Sequence, residues 1–444
     1  QNAKGEIIPE LATGYTMSHD ATTYNIHLRH GVVFSDGTPF DAQAVLYNFQ
    51  QDLNPSRGCQ CLINFPVATL SAPNAFTVVI QLKRPDGALI DAFPDETPNW
   101  IISPSALQLQ GALESAIAPV GAGPFMVRSD IPSTELTLVR NPRYWSEGLP
   151  YLDRLIFKVV SSDIAAYADL RNGEAQVYVD YSAYRSLASI ARYVNVLNER
   201  STGADYIEFN TAAAPFNNLL AREAIAYATD PVAINRSVFG AVGRYTESLT
   251  GPGDLFYEPK VPMYRTFDLD EARTIVSELG GSLNVTLLSP SDTQSRQIDD
   301  VLASEWARVG IHATIEPGDF VAIVQDHRAG SWELELSIGG SFDPATGFGL
   351  ASELGSGELL SGTHDSRLDT MIEAASEPTS TAVRSADYAK IFRYISENEY
   401  ALPLIDVPRV LLSAKDVTWP TTEPGLQGPA LGAYYQRLAY ASAR

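Results

Sequence analysis

Between Tyr24 and Phe49 the spacing of apolar residues changes period within a few positions. Tyr24, Ile26 and Leu28 alternate with Asn25, His27 and Arg29, the period of two that a half-buried strand requires. Ser35-Asp36-Gly37 supplies turn chemistry. Beyond Thr38-Pro39 the apolar positions Ala42, Val45, Leu46 and Phe49 recur at helical spacing behind Asp41, a residue type suited to the N-cap. The segment predicts a strand, a tight turn and a capped helix. Strands are predicted by the same reading at residues 77–82, where the Pro-Asp-Gly after Arg84 stops the run, and at 155–160. A helix follows over 164–171 and closes on Asn172-Gly173. Farther on, Asp268 opens a helix that runs through Leu279 to Gly280-Gly281, and residues 285–288 form a short buried strand. Residues 297–309 carry Val301, Leu302, Trp306 and Val309 on one helical face, and 311–315 return as a strand. This order predicts a mixed α/β lobe with a right-handed crossover. The last third adds a strand over 333–338, helices over 365–375 and 385–399, and a strand over 402–407. No internal repeat or low-complexity stretch interrupts the pattern.

Composition narrows the class. A chain of 444 residues is too long for one core and predicts two or three domains. The net charge of −22 makes a surface that repels a phosphate backbone, so nucleic acid is not an expected partner. No apolar run approaches the roughly 18 residues that cross a bilayer. Cys59 and Cys61, one residue apart, cannot complete a tetrahedral zinc shell, and no histidine is near. They form either a strained disulfide in the loop that contains Gly58, suited to an oxidising compartment, or two free thiols.

Residues that would support catalysis are missing. There is no His-Glu-x-x-His, no Gly-x-Ser-x-Gly elbow, no Gly-Lys-Ser/Thr phosphate loop and no dinucleotide glycine motif. No enzyme activity, metal or cofactor is expected. Asp299-Asp300 reads as a solvated helix face rather than an acid and base pair. A binding protein needs aromatic walls and a few placed polar groups instead. Trp145, Trp306 and Trp332 sit in core-like patterns, whereas Trp100, in a Pro-rich stretch, is a wall candidate.

Further blocks stand in order along the chain: PVGAGPF at 119–125, RNPRYW at 140–145, PYLD at 150–153, NGE at 172–174, YIEFNT at 206–211, then Ala214-Pro215-Phe216 and AREAIAYATD at 221–230. With the opening LRHGVVFSDGTPFDAQAV they resemble the signatures of family 5 extracellular solute-binding proteins, which feed peptides, nickel and some sugars to ABC importers. Ala122 stands where Thr or Ser is usual, Gln176 near an expected acid, and Asn217 to Leu220 depart from the acidic-aliphatic pattern. The resemblance implies a periplasmic-binding-protein type II-like α/β fold of two lobes joined by crossover strands, plus an extra domain. It assigns residues 1–145 to the extra domain, 146–210 and 409–444 to lobe I, and 211–408 to lobe II. Members carry more elements before the segment matching residues 6–11, so the native product is expected to be longer.

The function implied is capture of a small ligand between the lobes and delivery to an ABC transporter permease. The location implied is extracytoplasmic, in the periplasm or as a lipid-anchored protein, and the state a monomer. Phe209 and Asn210 lie at a crossover by analogy and are ligand candidates. Peptide-binding members carry W..D...DP after a strand, with the first aspartate pairing the ligand's ammonium group. Here Gly339, Gly340, Ser341, Phe342 and Asp343 precede Pro344, and Gly340 falls at the salt-bridge position. An ammonium buried without a partner costs several kcal/mol, so the expected ligand is a non-peptide, oligosaccharide-like solute, with an oligopeptide next. A receptor or chaperone domain without transport, or a hydrolase of similar shape, are the alternatives.

Overall fold

The computed structural model describes residues 7–54, 66–93, 97–160, 162–180, 190–198, 203–252, 254–338, 346–407, 410–418 and 442–443. Cys59, Cys61 and residues 339–343 lie outside these. The chain divides into two compact units: Gln1–Val179 with Ile190–Leu197 and Leu411–Arg444, and Asp180–Ser189 with Asn198–Val410.

In the first unit, strands β1 (Ala12–Met17), β2 (Thr23–Leu28), β3 (Val67–Asn74) and β4 (Thr77–Leu82) form an antiparallel sheet in the order β1-β2-β4-β3. Tyr24, Ile26 and Leu28 are buried and their neighbours are not, as the alternation predicts. Helix Ala42–Asp52 starts where expected, because Asp41 accepts hydrogen bonds from the Gln43 and Ala44 amides. It buries Ala42, Ala44, Val45 and Phe49. A second sheet joins β5 (Phe125–Ile131), β6 (Glu135–Arg140) and β7 (Arg154–Lys158). A third has the order β8 (Val177–Asp180), β16 (Val410–Ala414), β9 (Val194–Asn198).

Side chains fasten the first two sequence blocks together. Asp36 accepts from the Thr38 amide at 2.9 Å and its hydroxyl at 2.6 Å, and its other oxygen accepts from Ser103 Oγ at 2.6 Å. Partial burial works against the Asp36 charge, but the Ser103 and Thr38 hydrogen bonds outweigh it and hold the carboxyl below its ordinary value. Gly37 sits at φ 90°, a conformation open to glycine. The Ser35 amide donates to Gly121 O at 2.9 Å, while Arg143 Nη1 donates to Ser35 O at 2.9 Å. Arg29 lies 4.0 Å over the Trp145 ring. Trp145 is therefore half-buried under a guanidinium rather than a core residue as its pattern predicted.

The second unit is built on a six-stranded sheet. Its order is β11 (Arg244–Tyr245), β15 (Ala401–Asp406), β10 (Asp205–Phe209), β14 (Leu334–Ser337), β12 (Leu283–Pro290) and β13 (Ile311–Gly318). β12 and β13 run parallel with helix Thr293–Ala307 between them in the chain, as the strand-helix-strand order predicts. All five residues of β10 are buried. Ile207 and Phe209 join a core with Phe216, Ile225, Trp306 and Leu402, whereas Tyr206 joins a second core with Leu350, Leu354, Tyr388 and Phe392. Trp306 Nε1 donates to Thr229 Oγ1 at 3.0 Å, so its indole is satisfied inside.

Several expectations need correction. The helix expected from residue 297 begins at Thr293, since Asp292 accepts from the Gln294 and Ser295 amides. Asp299, three residues before Leu302 and seven before Trp306, shares their face of the helix and is buried rather than solvated. Burial pushes its carboxyl up to about 7 although Ser289 Oγ donates to it at 2.9 Å. Residues 104–110, part of a Pro-rich stretch in sequence, open helix Pro104–Ile117 with proline at its first position. Helices Phe320–Ala329 and Thr346–Leu354 were not expected. Among the described residues no helix is long and apolar enough to cross a membrane.

Asp36→Ala should destabilise the protein by about 1–2 kcal/mol, because it removes the partner of Ser103 and of the Thr38 amide together. A lowered urea midpoint with an unchanged m-value checks this.

Candidate functional site

β14 runs antiparallel to β10, and the register decides which candidate residues can meet. Phe209 pairs with Leu334 and Tyr206 with Ser337. β14 therefore ends beside Tyr206, at the end of the sheet opposite Phe209 and Asn210. β10 begins and β15 ends at the Tyr206 end, since Asp205 pairs with Ile405.

At the other end, Asn210 is committed to backbone. Its amide nitrogen donates to Trp332 O at 2.9 Å and its carbonyl accepts from the Ala212 amide at 3.1 Å. Thr211 donates to Gly362 O from both its amide, at 2.8 Å, and its hydroxyl, at 2.9 Å. A Cβ on Gly362 would come within 2.6 Å of both Asn210 Cα and Trp332 Cη2, so this closure requires glycine. Phe209 is fully buried, its ring 5.3 Å from that of Phe216. Trp100 differs: it is 46% exposed, on a segment of the first unit held by Asn48, which bonds both the Ile102 amide and its carbonyl.

The sequence reading missed the polar centre of the second unit. Glu208 is 1% exposed and accepts from the Gly362 amide at 2.8 Å. Glu335 stands directly across from it on β14. Glu353, from helix Thr346–Leu354, accepts from Tyr206 Oη at 2.9 Å. His327 Nε2 donates to Glu335, and the His327 ring stacks on Trp332 at 4.2 Å between centroids. Burial pushes the Glu208 carboxyl well above the usual glutamate range, with Glu335 and Glu353 adding to it. Burial likewise lifts Glu353 to about 7 against the pull of the Tyr206 hydroxyl. The signal in the sequence was the glutamate of YIEF, an acid in an otherwise apolar strand interior. Among the described residues no group of three or more His, Cys, Asp or Glu is arranged to hold a metal ion.

Asn210→Ala should cost about 1–3 kcal/mol, since it strands the buried Trp332 carbonyl and the Ala212 amide. Chemical denaturation of the variant against the parent measures the loss.

Known proteins share this architecture. A family model for bacterial extracellular solute-binding proteins, family 5 Middle, matches residues 6–357. The glutathione-binding protein GsiB of Salmonella paratyphi A is 30% identical over 315 residues, covering 70% of this chain and 60% of its own length. The chain thus spans 60% of the length of that relative. The solved structure of the PBP AgaA in complex with agropinic acid, from A. tumefacien R10, superposes with a TM-score of 0.87 at 23% identity, over 100% of this chain and 91% of that one. DppA of Helicobacter pylori in complex with the peptide STSA gives 0.86 at 19% identity, over 100% and 90%. At these identities the two structures speak for the fold, which is the α/β, type II-like fold of periplasmic binding proteins. The match over residues 6–357 shows that the chain belongs to family 5 of the bacterial extracellular solute-binding proteins.

Proposed function

We propose that this protein is the solute-binding component of an ABC importer, carried above all by the family match across residues 6–357. It works outside the cytoplasm, in the periplasm or lipid-anchored at the membrane face, as a monomer. A ligand bridging two lobes would bind the closed state better than the open one and so hold it shut for docking on a membrane permease. No covalent step is needed, and the protein is not an enzyme. The relatives named above bind glutathione, agropinic acid and a peptide, which supports a small organic solute as cargo. The finer division into an extra domain (1–145), lobe I (146–210 and 409–444) and lobe II (211–408) belongs to the same proposal.

Gly340 is the residue that bears on ligand class. Without a carboxylate there, an α-ammonium group has no fixed partner, which favours a non-peptide, oligosaccharide-like solute over a free peptide. We assign wall roles to Trp100 and to Gly339, Gly340, Ser341, Phe342 and Asp343. Phe209 and Asn210 belong to the same assignment, acting through the backbone they anchor, given the burial of both.

A thermal-shift screen with peptide, N-acetyl-peptide and sugar libraries tests this. A true ligand at a hundred times its Kd adds about 2.7 kcal/mol of stability. Sugars or acetylated peptides should stabilise at least as well as free peptides; stabilisation by free peptides alone contradicts the Gly340 argument, and turnover of the solute contradicts the non-enzymatic reading. Trp100→Ala should weaken the identified ligand roughly tenfold, the loss of about 1.4 kcal/mol of aromatic contact, read by calorimetry. Asp36→Ala should leave that affinity unchanged.

A further inference from the structure

β10 and β14 set Glu208 directly opposite Glu335. Like charges in facing positions of an antiparallel pair repel, and exclusion of water from Glu208 strengthens the repulsion. A third carboxyl, Glu353, arrives from helix Thr346–Leu354 and takes a hydrogen bond from Tyr206, which lies on the same face of β10 as Glu208. Helix Phe320–Ala329 contributes His327, whose Nε2 donates to Glu335. β15 presents Ala401 to Glu208, and the 361–363 turn presents the Gly362 amide. Glu335, Glu353 and the Gly362 amide thus act on Glu208, and Tyr206, Glu335 and His327 act on Glu353. Leu350, Leu354, Tyr388 and Ile391 of the same core line the face of β10 that carries Tyr206. Three carboxyls gathered around one imidazole in such a place cannot all be charged.

We propose that Tyr206, Glu208, His327, Glu335 and Glu353 form a proton-held clamp: with Glu208 and Glu353 protonated, β10, β14 and helix Thr346–Leu354 lock together, and loss of those protons loosens them. The clamp does not depend on the solute-binding reading. Its sign is opposite to ordinary acid denaturation. In the folded protein Glu208 holds its proton well above the ordinary value of 4.5, and Glu353 does so to about 7. The folded state therefore binds more protons than the unfolded one across that window. The stability this gives is complete below about 4.5 and is lost as pH rises through about 7.

Thermal unfolding of the full chain across about pH 5 to pH 8 tests the clamp, comparing the parent with Glu353→Gln and Glu208→Gln, which mimic the protonated acids. Burial also raises Asp299 and Glu305 of this unit to about 7, so the readout is the difference between parent and variant slopes. The parent Tm should fall by roughly 5–10 °C over this range, and each variant should remove at least about 3 °C of that fall. Slopes identical to the parent's would overturn the proposal. Infrared spectra near pH 6 give a second test: the carbonyl band of protonated, buried carboxyls should be present, should vanish toward alkaline pH and should be weaker in Glu353→Gln and Glu208→Gln than in the parent. Its absence at pH 6 would also overturn the clamp.

Discussion

The second unit depends on one strand being buried on both of its faces. β10 lies inside the six-stranded sheet, paired to β14 on one side and β15 on the other, so its backbone is satisfied without water. Ile207 and Phe209 then point into one core and Tyr206 into the other. Each fully buried side chain of this size contributes about 1.5–3 kcal/mol by leaving water, and that gain is available on both faces because neither is solvated. The same geometry makes Glu208 costly: a residue at that position has nowhere to go but a core. Glu335 and Glu353 add to that cost, and the Gly362 amide, which donates to the Glu208 carboxyl, offsets part of it.

The first unit is held by a different device. Its defining loop turns on Asp36, whose two oxygens tie the Thr38 turn to Ser103, and on Arg29 and Arg143, which reach Trp145 and the Ser35 carbonyl. The blocks that identify the family are joined to one another through hydrogen bonds, the Arg29–Trp145 contact and the Arg140–Asp153 ion pair. Trp100 stays exposed on a segment anchored by Asn48.

Much of the fold was legible because local signals and burial agreed. The strand-turn-helix at Tyr24 to Phe49 had alternation, turn residues and an N-cap all pointing to one answer, and Asp41 caps the helix as its position indicated. Helix Asp163–Asn172 ends on Gly173 at φ 77°, the left-handed close that Asn172-Gly173 predicts. The misses had physical causes. Helix Pro104–Ile117 was hidden because prolines suggest loops, although proline is well placed at a first helical position. Asp299 was misjudged because adjacent acids suggest a solvated face, although its spacing of three and seven from Leu302 and Trp306 puts it on the buried one. The separation of Asn210 from the end of β14 was invisible, since antiparallel register is a property of strands far apart in sequence. The glutamate cluster was likewise spread over four elements, and only YIEF hinted at it.

Native-state hydrogen exchange at β10 tests the central place of this strand most directly. The amides of Ile207, Glu208 and Phe209 should exchange only through global unfolding of the second unit, with a denaturant dependence equal to that of the full transition. Exchange of these amides by local fluctuation, as fast as at the edge strand β11 and independent of denaturant, would contradict the account.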